Sequence, residues 1–99
     1  MRGVDPERLL RTEADDVHAW ANGPGDRYDR HVHAYTKILR CLSGSIDFVL
    51  DERTIHLEAG ARMVLPAGTP HAAVVGPSGC SCIEGKARTP PRADGETEW

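Results

Sequence analysis

Between residues 17 and 84 the chain never goes far without a turn. Asn22-Gly23-Pro24-Gly25, Ser43-Gly44, Asp51-Glu52-Arg53, Ala59-Gly60, Ala67-Gly68 and Gly76-Pro77-Ser78-Gly79 punctuate it, and such residues either reach left-handed backbone at little steric cost or preset a bend. The apolar stretches left between them, residues 17–22, 28–33, 35–42, 45–50, 54–57, 62–65, 71–75 and 80–84, have strand length. Eight short strands with tight connections predict an all-β chain that rolls into a small barrel.

Side-chain parity indicates what lines that barrel. In a strand, successive side chains point to opposite faces, so Ile46, Phe48, Leu50, Ile55 and Leu57 are expected inside, with Asp47 and His56 outside. Lys37, Leu39 and Cys41 share one face. Ahead of the strands, Asp5 reads as an N-cap and Pro6 as a first helical residue, which predicts a brief helix within an N-terminal segment at 1–16. Trp20 is expected to pack between that helix and the sheet, and His18 to be a surface residue. The barrel is expected over 17–85. Residues 86–99 are charged, proline-rich and without periodicity, and are read as a flexible tail.

The histidines bring chemistry. His31 and His33 are two apart, so in a strand both imidazoles project from one face. His71 follows the turn Pro66-Ala67-Gly68-Thr69-Pro70, where a neighbouring strand can deliver a third nitrogen. Three such ligands suit a divalent transition metal (Zn, Fe, Mn or Ni) with positions left open. Arg27, Tyr28 and Tyr35 flank the histidines and are candidate ligand-binding residues for a carboxylate-bearing molecule.

The order Gly25, His31, His33, Lys37, Gly44, followed by Gly60, Pro66, Gly68, His71, Val75, resembles the two-part cupin signature, G-x5-H-x-H-x3-E-x6-G and then G-x5-P-x-G-x2-H-x3-N. The resemblance covers residues 17–84. It implies a double-stranded β-helix (the cupin jelly-roll barrel), a metal at His31, His33 and His71, a small-molecule ligand, and pairing as a homodimer. The chain departs from the signature at two positions: Lys37 stands where the family has a ligand glutamate, and Val75 where it has asparagine. An ammonium in place of a carboxylate leaves three neutral imidazoles against a dication, which an anionic ligand would balance. Lys37 is therefore the candidate catalytic residue, pairing with a substrate anion or shuttling a proton. The plainer reading is a snorkelling lysine, its methylenes on the barrel wall and its ammonium in the mouth.

Composition narrows the partners. The chain has 99 residues, enough for one domain, and a formal charge of −3. With no basic run to neutralise a row of phosphates, nucleic acid is not expected as a partner. No apolar stretch approaches the roughly 20 residues that cross a bilayer, and no secretory signal is visible, so a cytoplasmic setting is expected. Cys80 and Cys82 are too close along one strand to bridge two elements, which favours reduced thiols. The resulting expectation is a small metal-binding cupin for a small, anionic organic ligand, open to metal-dependent catalysis. One alternative is a non-catalytic binding or sensing module. Another is an iron-dependent dioxygenase, because three histidines without a carboxylate resemble the ligand set of the thiol dioxygenases in the same superfamily.

Overall fold

The computed structural model describes residues 5–88. Asp5 opens helix α1 (Pro6–Arg11): its carboxylate accepts from the Glu7 amide at 3.0 Å, and Pro6 occupies the first turn. A helix of six residues cannot persist on its own. It is held by Leu10, fully buried against Ala14, Ile38, Val64 and Ile83 on the outside of the sheet. Among the described residues, no helix is long and apolar enough to cross a membrane.

Six strands follow among the described residues: β1 (Ala14–Asn22), β2 (Arg27–His31), β3 (Lys37–Leu50), β4 (Thr54–Glu58), β5 (Arg62–Leu65) and β6 (His71–Ala87). Every pairing is antiparallel. Eight segments were expected, and the difference has a steric cause. Ser43-Gly44 and Gly76–Gly79 do not end strands; the chain runs through them. β3 and β6 pair from Lys37↔Lys86 to Leu50↔His71, with register shifts on either side of Ser43-Gly44 where residues 76–79 of β6 bulge out of the ladder. Gly44 there has φ +70°, and a Cβ on it would lie 1.9 Å from the Gly79 carbonyl oxygen. Gly79 has φ +78°, with the Asn22 carbonyl oxygen 2.9 Å from any added Cβ. Glycine at both positions lets two long strands bend at one crossing without breaking.

Each long strand then serves two sets of neighbours. The first half of β3 pairs with β5 and its second half with β4. β6 takes β2 at its start and β1 at its end. The result is a double-stranded β-helix, all-β apart from α1. Its interior is filled by Leu39, Ile46, Phe48, Ile55, Leu57, Met63, Leu65, Ala73 and Val75, together with Cys41, Cys80 and Cys82. All three cysteines are free and buried, and burial pushes each thiol upward from its ordinary value. They therefore stay neutral and behave as small hydrophobes. Asp47 and His56 face outward as their parity predicts, joined at 2.5 Å.

Strand ends differ from the sequence reading. β1 begins at Ala14, and β6 runs on to Ala87, past the boundary set at 85. Arg88 then donates to the Arg11, Thr12 and Ala14 carbonyls and to the Asp15 carboxylate, tying the end of the sheet to the end of α1. Most of the expected tail, 89–99, lies outside the described residues.

Candidate metal centre

Two strand ends and one turn assemble the histidines. His31 closes β2 and is the cross-strand partner of His71, which opens β6. His33 lies just past β2 and does not continue the ladder. Its carbonyl accepts from the Gly68 amide at 2.9 Å instead, so the Pro66–Gly68 turn holds it. The candidate ligand nitrogens of the three rings all lie within 4.8 Å of one another. Ring centroids are separated by 4.3 Å (His31–His71), 4.9 Å (His31–His33) and 5.3 Å (His33–His71).

The backbone selects the tautomers. His31 Nδ1 donates to the Asp29 carbonyl at 2.6 Å, and His71 Nδ1 to the Thr69 carbonyl at 2.9 Å. With Nδ1 carrying the proton, each Nε2 keeps its lone pair, which is how a ligating histidine is usually oriented. His71 is 1% exposed, and its Nε2 is buried with no hydrogen-bond partner among the described residues. An unsatisfied buried acceptor costs about 1–3 kcal/mol, and a cation at that lone pair would remove the cost. Burial holds the His33 and His71 imidazoles below their ordinary value, and for His33 the nearby Lys37 ammonium adds to the effect. Both rings are thus kept neutral, as metal ligands must be. The convergence of the three rings, the orientation of His31 and His71, and the neutrality of His33 and His71 fit a divalent ion.

Lys37 points at this centre but is not a free ammonium in the mouth. It is 7% exposed, its Nζ 3.3 Å from His33 Nε2 and 3.4 Å from Glu84 Oε1. Glu84, on β6, accepts at the same oxygen from the Trp20 indole at 2.9 Å, and its other oxygen lies 3.6 Å from His18 Nε2. The pair is buried yet hydrogen-bonded, which a buried ion pair needs in order to be tolerated.

These groups border one cavity of about 280 Å³, whose walls also include Tyr28, Ile46, Phe48 and Ala73. Tyr28 lies opposite Ala73 and faces the cavity, its hydroxyl donating to Asn22 Oδ1. Arg27 lies opposite Val74, one position along, so parity turns it outward and it does not line the cavity. Tyr35 is also outside the lining: its ring backs His33 at 5.2 Å and carries the Lys86 ammonium at 4.9 Å.

One sequence expectation fails here: Trp20 does not pack between the helix and the sheet but borders the cavity and donates to Glu84. His18 is exposed, as expected, and its ring also reaches the cavity rim beside Glu84. Their shared parity was readable, but that their face is the inner one follows from β1 pairing, which sets His18 opposite Glu84 and Trp20 opposite Cys82. Glu84 shares a face with Cys82 two residues earlier, but the Gly76–Gly79 turn sequence ahead of both left undetermined which face that is.

The chain matches the Cupin domain family over residues 19–78, and it belongs to that family. Solved structures agree. A conserved protein of unknown function from Streptococcus pyogenes is similar at 23% identity and TM-score 0.65, over 78% of this chain and 65% of its own. A double-stranded β-helix protein from Klebsiella pneumoniae shares 26% identity at TM-score 0.64, over 76% and 70% of the two chains. The polyketide cyclase RemF from Streptomyces resistomycificus shares 25% identity at TM-score 0.65, over 77% of this chain and 56% of that one. No curated protein matches the chain.

Proposed function

We propose that this cupin holds one divalent transition metal through His31, His33 and His71 and binds a small organic ligand at the metal's open positions. The observation that carries the reading is the buried His71 Nε2, unpartnered among the described residues, on one of three imidazoles whose candidate ligand nitrogens all lie within 4.8 Å of one another. When bound, the metal would supply a Lewis acid to the ligand's donor atoms. Trp20, Tyr28, Ile46 and Phe48 would enclose an apolar or aromatic body, and a negatively charged donor group on the ligand would offset the dication. Lys37, between His33 and Glu84, is placed to contact that donor group. The similarity to a polyketide cyclase is compatible with an oxygen-bearing, largely apolar ligand. Pairing as a homodimer and a cytoplasmic setting also belong to this reading; they rest on family resemblance and composition.

Metal analysis of protein purified without an affinity tag or chelator tests the centre. About one divalent ion per chain is expected after loading. A wild-type protein that binds no zinc, cobalt, iron, manganese or nickel would overturn the reading.

A further inference from the structure

Lys37 is odd for a cation beside a metal centre. Its Nζ donates to Nε2 of His33, while Glu84 Oε1 stands on the ammonium's other side. The two contacts are nearly equal, 3.3 and 3.4 Å, so the ammonium bridges both acceptors and stays seated on Glu84 if it gives up His33. Glu84 is in turn anchored by the Trp20 indole, so it offers a fixed second seat.

We propose that Lys37 and Glu84 form a counter-ion pair that sets this site's metal affinity: Lys37 competes with a divalent ion for His33, and Glu84 draws the ammonium aside and offsets its charge when the ion enters. The proposal rests on the three-histidine reading above. Glu84 is then a positioning residue and not a ligand, and β6 supplies the negative charge that β3 lacks at position 37. The direction follows from charge. An ammonium near a dication is repulsive, and the repulsion is large where water is scarce. A carboxylate adjacent to that ammonium cancels most of it.

The test is a zinc titration of the full chain against a chromophoric chelator, with cobalt(II) absorption as a second readout. Lys37→Met should tighten zinc about tenfold or more, and Glu84→Gln should weaken it about ten- to hundredfold, the range seen when groups behind a ligand are removed. The double variant Lys37→Met/Glu84→Gln should bind at least as tightly as wild type, because the competitor has gone along with its anchor. The cobalt spectrum should keep its band positions in all three. A Lys37→Met variant no tighter than wild type, or a double variant as weak as Glu84→Gln alone, would overturn the proposal. So would a Glu84→Gln cobalt spectrum showing a lost oxygen ligand. Either single change strands a buried charge. Should one fail to fold, the double variant, neutral at both positions, decides by the same criterion. Absence of zinc binding in wild type and variants alike would instead remove the three-histidine reading and this inference with it. Equal binding in all four removes the inference alone.

Discussion

His71 lies inside the barrel and His56 on its outer wall, and their imidazoles are pushed in opposite directions. Burial holds His71 below its ordinary value, and its Nε2 has no partner. On the outer wall, Asp47 sits across the β3–β4 ladder at 2.5 Å and raises His56 above its ordinary value, with help from Glu58. One residue type thus has two fates, decided by strand parity. An inward histidine becomes a neutral donor waiting for a cation, and an outward one becomes half of a solvated ion pair. Among the described residues, His71 Nε2 has no hydrogen-bond partner, whereas both ring nitrogens of His56 face a carboxylate.

Metal binding should break along this line most sharply. His71→Ala should abolish stoichiometric zinc binding, whereas His56→Ala should leave it unchanged, as measured by equilibrium dialysis. Zinc retained by the His71 variant would show that the inner cluster is not the site.

Neighbouring residues on β3 carry the same contrast into stability. Phe48 is 4% exposed in the core that also borders the cavity, and Phe48→Ala should cost about 3–5 kcal/mol in urea unfolding. Asp47, next along the strand, has an exposed pair that water screens, and Asp47→Ala should cost under about 1 kcal/mol. Similar losses at the two positions would contradict the assignment of inner and outer faces.

A smaller effect should appear with pH in the metal-free protein. His33 and His71 have folded values below the 6.5 of the free side chain, so the unfolded chain binds more protons as pH drops through that value. Stability should therefore fall from about pH 7.5 to about pH 5.5. A variant with alanine at both positions should lose much of that slope, and an unaltered slope would mean that the two rings are not held neutral.

His56 should contribute the smallest effect, with the opposite sign. Its folded value is raised, so its stabilisation is present below 6.5 and lost as pH rises through the folded value. His56→Gln should lower the urea midpoint slightly at about pH 5.5 and leave it unaltered near pH 8. A loss confined to the high-pH side would reverse the contrast with His71.

Much of this architecture was legible from local rules. Parity placed Ile46, Phe48, Leu50, Ile55 and Leu57 inside and Asp47 and His56 outside, and cap chemistry located α1. These depend only on neighbours along the chain. The strand count was not legible, because Gly44 and Gly79 look like turn residues until each is seen against the backbone it must clear. Arg27 and Tyr35 flank the histidines along the chain, but Arg27 is one residue of parity away from Tyr28 and Tyr35 lies in the link between β2 and β3, so neither lines the cavity.

The sequence by itself determined the materials: an all-β chain, inward apolar faces, and three histidines at spacings that permit convergence, since periodicity and turn chemistry are properties of adjacent residues. Only the tertiary structure decided what those materials do together. Pairing β1 and β3 against β6 brings Trp20, His18 and Lys37 onto Glu84, residues separated by up to 66 positions in the chain. A buried charge can be understood only through its partners, and the partners of Lys37 are chosen by sheet register, which no short-range pattern encodes.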